Sequence, residues 1–279
     1  MATEKNDILA VIDPTHNEQW ALQKAVSLAR NRDNSRVFAF LCAYSEAEYD
    51  DPEEYQSVEI KRHQLWLADL IAGLDTDGVD ILPLVQWGRN WREAVVEAAI
   101  DAEVRLVVKR ASGRPELLAS SDRELIRTLK SALLLVKHPP AREIRKVLVA
   151  IDFNATDAGH LALNEAIIDL GRRIRGSNTD IDLHAVCAYP ESDKFVHPPD
   201  VARNLEIDRS RAHVRQGRAA EVIPAMANEI DADLVVVGNV GRRGFAGITI
   251  GNTSEKILTD IQADVLVLVR EENAERSAA

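Results

Sequence analysis

The residues best suited to chemistry in this chain lie between Leu234 and Ser254. Leu234-Val-Val-Val237 is an unbroken apolar run that ends in Gly238, and the glycines continue as Gly238-x2-Gly241-x9-Gly251. An apolar run without alternation suits a central parallel strand covered on both faces. Gly238 and Gly241 let a backbone turn sharply and approach a ligand with no Cβ in the way. Asn252, Thr253 and Ser254 then open a helix, where free N–H groups and the positive end of the dipole attract phosphate. Arg242 and Arg243 stand within this loop, as phosphate partners or as solvated charges. The expected arrangement is strand, glycine loop, helix. A second candidate, Asp152, ends the apolar run Val147–Ile151. Its carboxylate can accept a hydrogen bond from an exocyclic amine, or it can cap the helix that follows.

Other chemistries lack their residues. There is no GxxxxGK[ST] loop and no GxSxG elbow, and no His or Cys array has metal spacing. His184 and Cys187 lie three apart on an apolar strand, point to opposite faces, and read as core residues. Cys42 and Cys187 read as buried free thiols. With no general base placed beside the glycine loop, turnover is expected to be slow or absent. A net charge of -11 and a pI near 5.2 argue against nucleic acid as a partner. No apolar run reaches the roughly 20 residues of a membrane span. The amino terminus has no signal-peptide layout, so a cytoplasmic location is expected.

The elements that must position these residues are written twice. Ile8-Leu-Ala-Val-Ile-Asp13 returns as Val147-Leu-Val-Ala-Ile-Asp152, Cys42-Ala-Tyr44 as Cys187-Ala-Tyr189, and Leu133–Val136 as Val265–Leu268. The repeat is a whole domain, too long for a solenoid unit. The boundary falls at the proline-stiffened stretch His138–Glu143, giving domains of residues 1–140 and 141–279. In the first, strands are expected at Ile8–Ile12, Val37–Leu41, Ile81–Val85, Leu106–Val108 and Leu133–Val136. A capping box at Thr15-x-x-Glu18 opens a helix to about Asn31. Helices are also expected at Glu53–Gly73, with helical spacing through Val58, Leu65, Leu67 and Leu70, and at Trp91–Asp101 and Ser121–Lys130. The run Glu46–Glu54 reads as a solvated loop entering a helix. Strands separated by helices imply parallel pairing, with ligands beyond the C-terminal strand ends. In the second copy Pro190, Pro198 and Pro199 shorten one crossover to a helix within Asp200–Ser210. One face of that domain is therefore expected to be thinly covered. The polar tail Glu271–Ala279 is expected to fray.

Together these residues resemble the universal stress protein family in its tandem, UspE-like form, across nearly the whole chain. The resemblance implies an α/β fold of two Rossmann-like, adenine nucleotide alpha hydrolase-like domains. Each would be a five-stranded parallel sheet of order 3-2-1-4-5, and the two would pack as a pseudo-dimer through their last strands. Carried over by position, Asp152 and Ala185 would meet the base. Gly238, Gly241, Gly251 and Asn252 would hold ribose and phosphates, and Arg242 and Thr253 beside them are further candidates. The family has Ser or Thr directly after the third glycine, where this chain has Asn252. The first copy departs further. Lys109 and Ser112 replace the first two glycines, Gly113 is the only glycine nearby, Phe40 replaces Ala185, and the stretch Ser120–Glu124 puts an acid where phosphate would sit.

The reading that follows is a cytoplasmic stress-response protein binding ATP, with or without Mg²⁺, or another adenine nucleotide in its second domain. Two alternatives remain: a nucleotide-independent scaffold or carrier of small apolar ligands, and a slow ATP hydrolase. Protein partners are expected but unspecified. The chain is expected to be a monomer by internal pairing, or a weak homodimer.

Overall fold

The computed structural model describes residues 6–30, 35–45, 52–112, 118–140, 143–177, 180–244, 247–249 and 252–271. Gly113, Gly251, residues 46–51 of the acidic run, linker residues 141–142 and the tail beyond Glu271 lie outside them.

The first repeat runs β1 (Ile8–Val11), α1 (Trp20–Arg30), β2 (Val37–Ala43), α2 (Pro52–Ala72), β3 (Ile81–Trp87), α3 (Trp91–Asp101), β4 (Leu106–Arg110), α4 (Ser120–Thr128), β5 (Ala132–Val136). Its strands are parallel neighbours in the order β3-β2-β1-β4-β5. The second repeat runs β6 (Lys146–Ala150), α5 (Ala158–Ser177), β7 (Asp182–Tyr189), α6 (Pro198–Leu205), β8 (Ala212–Gln216), α7 (Ala219–Glu229), β9 (Leu234–Gly244), β10 (Gly247–Thr249), α8 (Asn252–Asp260), β11 (Asp264–Glu271). Its parallel strands neighbour as β11-β9-β6-β7-β8, and β10 lies antiparallel on β9. By spatial contact, one unit holds the chain up to Arg110 with Leu129–Val136, and the other holds Ala111–Thr128 with the chain from Lys137. The central strands β1 and β6 are buried almost throughout, as continuous apolar runs covered on both faces should be. No described helix is long and apolar enough to cross a membrane.

Two local expectations are corrected. The Thr15 hydroxyl does not cap α1, which begins at Trp20, because it donates instead to Asp13 Oδ1 at 2.6 Å. Along α2 only Leu67 of the spaced apolar residues is buried, while Val58 and Leu65 are 57% and 58% exposed. The second repeat, by contrast, is well covered. Pro198 and Pro199 open α6 rather than break it, since a first-turn proline lacks an N–H that would be unpaired anyway. Val201, Ala202 and Leu205 of α6 are then buried. Gly171 of α5 makes room for this short helix, because a Cβ there would lie 2.7 Å from Leu205 Cδ2. The thin face expected on the second domain is therefore absent among the described residues.

Candidate functional site

Asp152 follows β6 at the C-terminal edge of the sheet, with its side chain exposed. The Asn164 amide of α5 fixes its backbone from both sides. Asn164 Oδ1 accepts from Asp152 N at 3.1 Å, and Nδ2 donates to Asp152 O at 2.6 Å. The carboxylate accepts once, from Asn154 N to Oδ1 at 2.9 Å. Oδ2 has no hydrogen-bond partner among the described residues. Asp152 is not the cap of α5. That task falls to Asp157, whose Oδ1 accepts from His160 N at 2.9 Å.

The glycine motif is built differently from expectation. Gly238 lies inside β9, opposite Leu268, rather than in a turn. Its missing Cβ admits α5, for a Cβ would stand 2.4 Å from Leu163 Cδ2 and 3.1 Å from Ile167 Cδ1. Gly241 also lies within the strand, opposite Glu271, and the strand continues to Gly244. The chain returns as β10, pairing Gly247 with Gly244, Ile248 with Arg243 and Thr249 with Arg242. The expected loop is thus a β-hairpin extension of the central strand. Asn252 begins α8; Thr253 in its first turn is exposed and Ser254 is half-buried. Glu255 in the same turn is paired with Arg123 of α4.

Ala185 pairs with Val149, three residues before Asp152, and is fully buried. Carried forward, that register puts Ala188 and not Ala185 at the level of Asp152.

Two features escaped the sequence. Asn239 directly follows Gly238 and is 2% exposed, yet its Nδ2 has no hydrogen-bond partner among the described residues. β6 pairs Val149 with Val236 and ends at Ala150; carried on by three residues, that register sets Asp152 level with Asn239 of β9. Side chains alternate along a strand, so Asn239 points away from the α5 face that Gly238 contacts. A buried amide donor without a partner is costly, and that cost is relieved by a bound acceptor. The signal in the sequence was a single polar residue closing an apolar run. The second feature is the segment after β7, where Phe195 packs against Tyr189 and His197. Asn154 Nδ2 ties it to the Asp152 loop through Lys194 O, at 3.2 Å.

The corresponding edge of the first repeat is filled. Asp13 accepts at Oδ1 from Thr15 N at 3.0 Å and from the Thr15 hydroxyl, and its Oδ2 lies 3.0 Å from His16 Nδ1. Burial works to raise the Asp13 pKa, but the Thr15 hydrogen bonds and neighbouring His16 together hold it below its ordinary value. Lys109 is buried, and the Arg110 guanidinium lies 3.7 Å over the Trp20 ring. Asp122, in the first turn of α4, is 1% exposed and accepts from Ser112 N at 2.7 Å. A carboxylate of the chain's own thus takes up the loop amide that an anion would use. Phe40 is likewise a core residue, 1% exposed.

His184 makes no pair with Cys187. Its Nδ1 lies 2.9 Å from His213 Nε2, with 5.2 Å between centroids and 7° between planes. Those values describe two coplanar rings joined edge to edge, and Asp182 lies 3.1 Å from His184 Nε2. Burial, with His184 and Arg215 nearby, pushes the His213 pKa down. Both cysteines are free, and burial raises the pKa of each thiol.

Comparison with known proteins gives a consistent result. The sequence model of the universal stress protein family matches residues 5–137 and again residues 143–270. Universal stress protein E of Salmonella typhi is 29% identical over 98% of this chain and 96% of its own length. Its namesake in Escherichia coli K12 is 29% identical over 96% and 95%. Among solved structures, a putative universal stress protein from Pseudomonas aeruginosa UCBPP-PA14 superposes with a TM-score of 0.77, at 24% identity over 95% of this chain and 93% of that one. A universal stress protein from Archaeoglobus fulgidus gives 0.72 at 16% identity, over 95% and 98%. These two structural likenesses bear on the fold alone.

Proposed function

Because the chain belongs to the universal stress protein family, and so to stress response, we propose that its second repeat binds an adenine nucleotide while its first does not. The supporting observation is a matched acceptor and donor on one rim. Carried three residues past the last pair, Val149 with Val236, the β6–β9 register brings Asp152 level with Asn239, and neither Asp152 Oδ2 nor the buried Asn239 Nδ2 has a hydrogen-bond partner among the described residues. A carboxylate oxygen suits an exocyclic amine, and an amide N–H suits a ribose or phosphate oxygen. Phosphates extend toward the first turn of α8, where the one acid, Glu255, is neutralised by Arg123.

Of the residues carried over from the family, Asp152 keeps an open binding group. Gly238 and Gly241 shape the strand that presents Asn239. Thr253, exposed in the first turn of α8, and Arg242 are the candidate phosphate partners. ATP, with or without Mg²⁺, is the first ligand to test. Binding, rather than turnover, biases the hairpin and the surface around it toward one arrangement, which a protein partner reads.

Isothermal titration of the intact chain with ATP and Mg²⁺ tests this directly, using Asn239→Leu as the comparison. Wild-type heat that the variant loses supports the proposal. No heat from wild type at millimolar-range concentrations contradicts it, and ADP release above a protein-free control contradicts the absence of turnover.

A further inference from the structure

The short crossover between β7 and α6 builds an aromatic surface beside Asp152, and its role extends the nucleotide reading on which this inference rests. Phe195 meets Tyr189 at 5.4 Å between centroids and 85° between planes, and His197 at 5.2 Å and 82°. Both contacts are edge-to-face, and Phe195 remains 45% exposed. The ring sits on a fixed frame. A 3₁₀ turn at Ser192–Lys194 precedes it, and Lys194 N donates to Glu191 O at 2.9 Å. Asn154 Nδ2 donates to Lys194 O, while Asn154 N donates to Asp152 Oδ1. Asn154 therefore bridges the carboxylate and the residue next to Phe195. An exposed ring, oriented by its neighbours and tied to an open carboxylate, matches an aminated aromatic heterocycle. The ring face takes the π-surface, and the carboxylate takes the amine.

We propose that Phe195 is the platform on which the base of an adenine nucleotide stacks, and that this site reads the base rather than the phosphate chain. The hairpin supports the second part. Pairing of Arg242–Gly244 with Gly247–Thr249 turns the middle of the glycine-rich stretch into strand, where a phosphate loop would be open backbone. The Tyr189–Phe195–His197 cluster has no such competing partner on its exposed side among the described residues. The ligand class is a 6-aminopurine nucleoside or nucleotide, with the number of phosphates secondary.

The test is isothermal titration of the full chain with AMP, ATP and inorganic tripolyphosphate, in wild type, Phe195→Ala, Phe195→Leu and Phe195→Trp. Wild type should bind AMP and ATP with similar affinity and give no heat with tripolyphosphate. The Ala and Leu variants should weaken both nucleotides by about tenfold, the scale of one lost base stack. Phe195→Trp should retain binding and show tryptophan quenching on adding AMP. An unchanged unfolding midpoint in the Leu variant shows that the loss is local, since an exposed ring carries little of the core. If both variants bind AMP as wild type does, the platform is overturned while the nucleotide reading stands. Tripolyphosphate binding as tightly as ATP overturns base-led recognition. No binding of AMP or ATP to wild type overturns this inference and the nucleotide reading together.

Discussion

The two repeats hold the same aspartate in the same way and then treat its carboxylate differently. Gln19 clamps the backbone of Asp13, accepting from N at 3.1 Å and donating to O at 2.7 Å, as Asn164 clamps Asp152 at 3.1 and 2.6 Å. Beyond that clamp, Thr15 and His16 engage both oxygens of Asp13, while Asp152 keeps one open. The next strand repeats the contrast. Arg110 lies against Trp20, whereas Asn239, within β9, has a buried donor with no hydrogen-bond partner among the described residues. At the third residue of the following helix, the first repeat has the buried acceptor Asp122 and the second has half-buried Ser254. On the proposed reading, the edge of the first repeat is filled by its own side chains while the scaffold is kept. The two edges differ by a few side chains on sheets of the same strand order.

Substitutions can sharpen or break this contrast. The largest effect is expected from Gly238→Val, whose Cβ would overlap Leu163. Overpacking should destabilise the second repeat by about 3 kcal/mol, read as a lower denaturant midpoint. A midpoint within error of wild type would mean that Gly238 is there for a ligand and not for α5. Asp122→Ala should cost about 2 kcal/mol, because the Ser112 amide loses its buried acceptor. If the loss is fully recovered by adding phosphate, the first repeat retains an anion site after all.

The smallest effect is at Asp13. Its pKa is depressed in the folded state, so its hydrogen bonds stabilise the fold above the unfolded carboxylate pKa, and that contribution disappears as pH falls through the lower folded value. Thr15→Val should therefore destabilise the protein at neutral pH but not in acid. The side chain is half exposed, so the difference should stay below about 1 kcal/mol. NMR titration should show the Asp13 pKa rising in the variant. An unchanged value would remove Thr15 from the account.

Much of the architecture was legible because it rests on local patterns. Trp91–Asp101 is the helix expected from its sequence, with Asn90 Oδ1 accepting from Arg92 N at 3.2 Å as its cap. The unalternating runs at Ile8 and Val147 marked buried parallel strands for the same reason. What escaped depended on distant partners. Gly238 carries the family motif, but its local role is set by Leu163 and Ile167 of α5, far away in sequence. The prolines at 198 and 199 look like breakers until their first-turn position is known. Thr15 looked like a helix cap because its competitor, the Asp13 carboxylate, is recognisable only once the turn is built. Asn239 showed in the sequence only as a polar residue after an apolar run, because its lack of a partner is a property of the packed state.

The claim that one repeat keeps an open site and the other has closed its own is tested most directly by a paired titration with ATP and Mg²⁺. Asp152→Ala and Asp13→Ala should be compared with wild type in the intact chain. One binding event should be seen in wild type, retained with Asp13→Ala and lost or severely weakened with Asp152→Ala. Loss of binding on changing Asp13, with Asp152→Ala behaving as wild type, would contradict the account.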